Sequence, residues 1–198
     1  AMSNETLGEH FDIHCGGVDN MFPHHENEIA QSVCASGRGF VNYWLHSEFL
    51  LVDGGKMSKS LGNFYTMKDL KGRNFSAESI RFQLLSGHYR TKISFSLGKK
   101  IESDKVIQRI NDFYKILAKK RTINERGNSL PGIYFEFVDA MNDDLNTPKA
   151  LAVFFTWMKN QMKLIKTESM KDDQIESAWN FMKIFNDIFD FIKEDKLE

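Results

Sequence analysis

Apolar residues recur at three- and four-residue intervals through most of the second half of the chain. Val106, Ile107, Ile110, Phe113, Tyr114 and Leu117 form one such stripe and predict a helix from residue 101. Leu151, Phe154, Phe155, Met158, Met162 and Ile165 form a second, with Thr147 and Pro148 as its N-cap and first-turn residues. Ile175, Trp179, Met182, Phe185, Phe189 and Ile192 form a third, and residues 124–132 interrupt the pattern between the first and second. Stripes of this width suit the core of an antiparallel helical bundle.

The first third follows other periods. His10-Phe11-Asp12-Ile13-His14 reads as a short strand, and Gly16-Gly17-Val18-Asp19 as a glycine-rich turn. A helix with Pro23 at its first position then carries Ile29, Ala30 and Val33 on the side that would pack on a sheet, and residues 36–39 stop it. His24, Glu28 and Gln31 fall on its other side. The unbroken run Phe49-Leu50-Leu51-Val52 before Asp53-Gly54-Gly55 suits a strand buried on both faces of a parallel sheet, or a segment of buried helix. Read as a strand, it delivers the loop after residue 53 to the carboxyl edge of an open α/β sheet, where such sheets bind ligands. Thr66-Met67-Lys68-Asp69 has the spacing of a capping box. Ser76 is placed to cap a helix carrying Ile80, Phe82, Leu84 and Leu85, which Ser86-Gly87 ends.

Composition adds bounds. The 198 residues are 41% hydrophobic, enough for a sizeable core in one or two domains. No apolar run approaches the roughly 20 residues of a membrane span, and no basic-then-apolar leader precedes the first strand, so the expectation is a soluble cytoplasmic protein. Two cysteines, Cys15 and Cys34, make no disulfide framework. The net charge of −1 conceals a division. Residues 1–67 carry three Lys/Arg against eight Asp/Glu, residues 68–135 fifteen against six, and residues 136–198 eight against thirteen. The basic middle suits either solvated helical faces or an anionic partner such as nucleic acid. Within it, residues 88–100 mix His88, Tyr89 and Arg90 with Lys92, Lys99 and Lys100, as a phosphate-backbone contact surface or a plain linker would.

Two constellations carry candidate chemistry. Gly54-Gly55-Lys56-Met57-Ser58-Lys59-Ser60-Leu61-Gly62-Asn63 sets two lysines three apart among hydroxyl residues and glycines. Mobile ammonium groups neutralise charge developing on a leaving phosphate, and glycines let a loop close over it. A Walker loop needs Ser or Thr directly after its lysine, and Met57 follows Lys56, so that reading fails; a polyphosphate-binding loop and an ordinary turn remain. On the helix, His24 and Glu28 stand at i and i+4, about 5–6 Å apart at Cβ, and can reach one divalent ion. Two ligands are half a metal site; a surface or capping role is the alternative.

Lys56-Met57-Ser58-Lys59-Ser60 is the ATP-binding loop motif of class I aminoacyl-tRNA synthetases. Joined to Phe11-Asp12-Ile13-His14, Phe22-Pro23-His24-His25-Glu26-Asn27-Glu28 and Asn142-Asp143-Asp144-Leu145-Asn146-Thr147-Pro148, it makes nearly the whole chain resemble the cysteinyl-tRNA synthetases. The resemblance implies an α/β plus all-α fold. The second half of a class I Rossmann-type catalytic domain (residues 1–67) would precede a stem-contact region (68–100) and an antiparallel helical tRNA-binding bundle (101–198). It implies ATP-dependent activation of cysteine and transfer to the terminal adenosine of tRNA(Cys), with Mg2+ beside the ATP and a monomeric protein. Lys56, Lys59 and His14 would be the catalytic residues. Gly16, Gly17, Asp19 and Lys59 would bind the nucleotide, and His24 and Glu28 would be zinc ligands together with two family cysteines. The resemblance also implies an internal or C-terminal portion, inactive alone, because both family cysteines and the His-Ile-Gly-His motif belong upstream of Ala1. Cys15 stands where the family has glycine, either a neutral change or an extra thiol near the metal. A mycothiol-pathway cysteine ligase and a non-catalytic RNA-binding module are the alternatives. Glu28 in its His-His-Glu-Asn-Glu setting and the basic middle argue against the first; Lys56 and Lys59 argue against the second.

Overall fold

A computed structural model describes residues 2–58, 60–121 and 129–193. They form two compact units, residues 1–57 with 89–94 and residues 58–88 with 95–198.

In the first unit a short helix α1 (Met2–Leu7) leads to strand β1 (Phe11–Gly17), tight turns over Val18–Asn20 and Met21–His25, helix α2 (Glu26–Ser36) and strand β2 (Val41–Ser47). β2 pairs parallel to β1, with Ile13 opposite Tyr43, His14 opposite Trp44 and Gly16 opposite His46. This is a strand–helix–strand crossover. Gly37, at φ 70°, ends α2 in the left-handed conformation that glycine adopts without strain. Phe40 is buried, and the Phe11 ring meets it edge-on at 5.1 Å. Strand β3 (Leu50–Val52) turns back antiparallel as β4 (Gly55–Lys56), and β5 (Ile93–Phe95) lies on the other side of β3.

Three expectations for this unit are corrected. The first strand runs on through Gly17, so the glycines lie inside it rather than in a turn. The apolar run at residues 49–52 is a three-residue arm of an antiparallel hairpin, with Phe49 39% exposed, and the parallel sheet is β1–β2 instead. The lysine loop therefore continues from the return arm of that hairpin. On α2, Ala30 and Val33 are exposed, while Glu28, Ile29, Ser32 and Ser36 are the half-buried positions. The inward side of the helix thus mixes Ile29 with Glu28 and two serines, in place of the predicted Ile29, Ala30 and Val33.

In the second unit the two local signals appear as read. Thr66 Oγ1 accepts from Asp69 N at 3.2 Å while Asp69 Oδ2 accepts from Thr66 N at 2.8 Å, opening α3 (Met67–Gly72). Ser76 Oγ accepts from Ser79 N at 3.1 Å, opening α4 (Ala77–Leu85). Helices α5 (Lys100–Lys120), α6 (Ile133–Asn142), α7 (Thr147–Lys166) and α8 (Asp172–Phe189) enclose one aromatic core. Phe113, Phe137, Phe154, Phe181, Phe185, Phe189 and Phe191 are fully buried rings of it. Arg121 clamps the end of α5 to α8 through two hydrogen bonds to Glu176, at 2.9 and 3.0 Å. Helix α6 was not among the predicted elements. Residues 122–128, which hold most of the predicted interruption, lie outside the described residues. The N-cap of α7 is Asn146, whose Oδ1 accepts from Lys149 N, with Thr147 already helical. Ile192 is buried beyond the end of α8, held by Asn186, which exchanges two hydrogen bonds with its backbone.

A paired-charge layer joins α4 to α5. Asp104 accepts from Ser79 Oγ and from Lys100 Nζ, each at 2.5 Å, and the largely buried Glu78 pairs with Lys193 at 2.8 Å. Burial by itself raises both carboxyls, but the hydrogen bonds from Lys100 and Ser79 to Asp104, and from Lys193 to Glu78, hold them below the usual carboxylate range. A folded-state value below the unfolded one stabilises the fold fully above the unfolded carboxylate range, and that contribution is lost as pH falls through the folded value. The thermal midpoint is accordingly expected to hold steady from pH 7 to about 5 and then fall below about 4. Asp104→Asn should flatten that acid limb; an unchanged limb in the variant would remove Asp104 from the cause.

Candidate active site and metal centre

The chemistry-bearing residues of the first unit converge on one face of the β1–β2 pair. Alternation puts His14 and Gly16 of β1 on the same side as their partners Trp44 and His46 of β2. The His14 ring lies edge-on to Trp44 at 4.9 Å, and Trp44 stacks parallel to His46 at 6.0 Å. From the turn before α2, His25 packs beneath them, 4% exposed. One imidazole donates to the other between His25 Nδ1 and His46 Nε2, 2.8 Å apart. Burial, then the neighbouring His14 and His46, lower the His25 pKa, so its ring is neutral at pH 7.

Glu28, in the first turn of α2, completes the group. Its Oε2 lies 3.0 Å from His14 Nε2 and 4.0 Å from His25 Nε2, while Oε1 lies 3.9 Å from His24 Nε2. His14, His25 and Glu28 thereby offer three ligand atoms within 4.8 Å of one another. The approach of His14 to Oε2 is close but is not a hydrogen bond, and that buried oxygen has no donor among the described residues. An orphaned carboxylate oxygen among imidazole nitrogens is the environment a divalent cation satisfies, and nitrogen and oxygen donors suit zinc. Two donors 3.9 Å apart can both lie within about 2.0–2.2 Å of one ion, so His24 and Glu28 also fit.

Gly16 is required by this packing. A Cβ there would stand 2.5 Å from His25 Cε1 and 2.8 Å from His25 Nε2. A Cβ on Gly17 would meet only the mobile carboxylate of Asp19, which is exposed. Cys15 is exposed on the opposite face of β1 from His14, away from the cluster. Lys56 sits on β4 with its Nζ 5.8 Å from the centre of the Phe49 ring. Lys59 lies outside the described residues. On either side of it, Ser58 N donates to Asn63 Oδ1 at 2.8 Å, and the Ser58 and Ser60 hydroxyls meet at 2.7 Å.

Sequence reasoning named His14, His24 and Glu28 but missed His25, Trp44 and His46. The i, i+2 placement of Trp44 and His46 on a strand was the available signal.

Residues 1–127 match the family of tRNA synthetases class I (C) catalytic domains, and residues 136–193 match the DALR domain. The chain is 43% identical over 202 residues to the cysteine–tRNA ligase of Protochlamydia amoebophila, covering 100% of this chain and 42% of that protein. It is 47% identical over 167 residues to that of Brachyspira hyodysenteriae, covering 80% and 35%. The chain thus spans well under half the length of these relatives. Its fold is similar to Agrobacterium radiobacter LeuRS in a ternary complex with tRNA and LeuAMS, with a TM-score of 0.66 and 16% identity, covering 90% of this chain and 25% of that one. With the catalytic-domain family matched across more than half of its residues, and the expected order of catalytic segment and helical domain in place, the chain belongs to the class I (C) tRNA synthetases.

Proposed function

We propose that the chain is part of a cytoplasmic, monomeric cysteine–tRNA ligase, which activates cysteine with ATP and passes it to the terminal adenosine of tRNA(Cys). The observation that carries this reading is Glu28, whose buried oxygen lacks a donor among His14, His25 and the outlying His24. His24 and Glu28 would hold zinc together with cysteine thiolates from outside residues 1–198. Zinc supplies a bond that a substrate thiolate makes well and a serine hydroxyl makes poorly. The chain's own residues do the rest. Neutral His25, anchored by His46, fixes the wall of the pocket beside Gly16. His14 stands over Glu28 at the edge where the reacting carboxylate would lie. Gly16 and Gly17, whose missing β-carbons leave room for His25 and Asp19, would lie beside the adenosine through their backbone, and the exposed Asp19 would reach a ribose hydroxyl. Lys56 and Lys59 would neutralise charge moving onto the departing pyrophosphate, whose Mg2+ arrives with ATP.

The test is pyrophosphate exchange into ATP by the full-length protein. Exchange that depends on cysteine, and that serine does not support, is expected. Exchange indifferent to cysteine would end the ligase reading.

A further inference from the structure

The hairpin that leads into the lysine loop is built to one register. Asp53 and Gly54 join β3 to β4 with φ of 49° and 80°, the two positive values of a type I′ turn, whose twist matches the strands it connects. Gly54 N donates to Ser94 Oγ at 3.1 Å, which ties the turn to β5. With this turn Lys56 stands opposite Leu51, and Gly55 opposite the buried Val52. Paired residues share a face, and so do residues two apart on an extended chain. Lys56, Leu51 and Phe49 therefore stand on the face turned away from Val52.

A diagonal neighbour is within reach of an aromatic ring and a long side chain. The Lys56 Nζ accordingly lies 5.8 Å from the centre of the Phe49 ring. The backbone beneath the ring is held as well, since Glu48 N donates to Tyr89 O at 2.8 Å and Glu48 Oε2 accepts from Phe49 N at 3.3 Å. Burial gives little reason for a ring here, because Phe49 is 39% exposed. Phe75, which meets Lys100 at the same 5.8 Å, is 6% exposed and is explained by the core it fills. What Phe49 offers besides apolar area is the negative potential of its face.

We propose that Phe49 is a positioning residue for Lys56, its ring holding the ammonium at the root of the loop before ATP arrives. The task given to Lys56 rests on the ligase reading. A lysine that swings freely gives up rotamer freedom when it meets a phosphate, and an ammonium already resting on a ring has given up part of it beforehand. The ring takes one side of the ammonium and leaves N–H donors on the others for phosphate oxygens. It attracts the cation without neutralising it, so the full charge is kept for the departing pyrophosphate.

The experiment measures pyrophosphate exchange by the full-length protein with Phe49→Leu, Phe49→Trp, Lys56→Ala and the Phe49→Leu, Lys56→Ala double variant. Phe49→Leu keeps an apolar side chain and removes the ring face. It is expected to lower kcat/KM for ATP by about two- to fivefold, the size of an exposed cation–π contact, and to leave the KM for cysteine in place. Phe49→Trp, which offers the better cation-binding face, should match or exceed the parent. In the Lys56→Ala background Phe49→Leu should cost nothing further. A ring that merely packs would cost the same with or without Lys56, so an equal loss in both backgrounds overturns the proposal. So does a Phe49→Trp variant as impaired as Phe49→Leu. A second readout needs no activity. With isotope-labelled lysine in the same protein, the ring current should move the Lys56 Cε protons upfield, a signal assigned by its absence in Lys56→Ala and expected to lose its shift in Phe49→Leu. An unshifted Lys56 signal in the parent overturns the contact itself. A parent without cysteine-dependent exchange would remove the ligase reading while the ring-current shift still judges the contact.

Discussion

Phe154→Ala is expected to lower the unfolding free energy by about 3–5 kcal/mol, as large aromatic truncations in closed cores do. Phe154 has no exposed surface, and its ring lies parallel to Phe185 with centroids 3.6 Å apart. Trp157 and Phe181 border the same space at 5.8 and 6.1 Å. All these neighbours are ring-shaped, and each is fixed by its own partners. They cannot collapse into the vacated volume without breaking other contacts, which places the cost in the upper part of the range. Against a typical domain stability of about 5–15 kcal/mol, the loss is about a fifth or more of the whole. Urea unfolding followed by circular dichroism measures it, with Phe135→Ala as the comparison. Phe135 is 66% exposed, and its truncation should change stability by no more than about 0.5 kcal/mol. A loss under about 1 kcal/mol for Phe154→Ala would mean that the stacked pair does not organise the core.

Glu28→Ala in the full-length protein should lower cysteine-dependent exchange by at least about 100-fold, beyond the 10–100-fold typical of a residue that only supports a metal ligand. Zinc should fall well below one per chain. The thermal midpoint of metal-stripped protein should hold or rise, because the substitution removes a carboxylate oxygen that is buried without a donor. That combination separates a ligand from a structural residue, whose loss would lower activity and metal-free stability together. His24→Ala should follow Glu28→Ala in zinc content. If His25→Ala releases the metal and His24→Ala does not, the ligand pair is His25 and Glu28. Unchanged zinc in Glu28→Ala would end the assignment.

The parts legible from the chain alone were those encoded over a few residues. The Thr66 and Ser76 caps need only a hydroxyl and a spacing of three, and the stripes of α5, α7 and α8 need only a period. Helix α6 escaped although Ile133, Tyr134, Phe137, Ala140 and Met141 recur at helical spacing opposite Glu136, Asp139 and Asn142, because the run is only ten residues long and a short apolar run is ambiguous between helix and strand. The hairpin at residues 50–56 escaped because a short apolar run is silent about its partner, and the choice of antiparallel return over buried parallel strand is made in three dimensions. Of the candidate site, His14, His24 and Glu28 were legible through resemblance. His25 and His46 were not, since the parallel register that sets Gly16 opposite His46 joins residues thirty apart in the chain.

Gly16 and His25 share one volume, and this makes them a single unit of variation. A saturation library at position 16 alone would return little besides glycine, since any β-carbon displaces the imidazole and with it the hydrogen bond to His46. The effects of substitutions at positions in such contact do not add. Redesign of this cluster therefore has to randomise positions 16, 25 and 46 as a block, and a screen that walks them one at a time would score each as immutable.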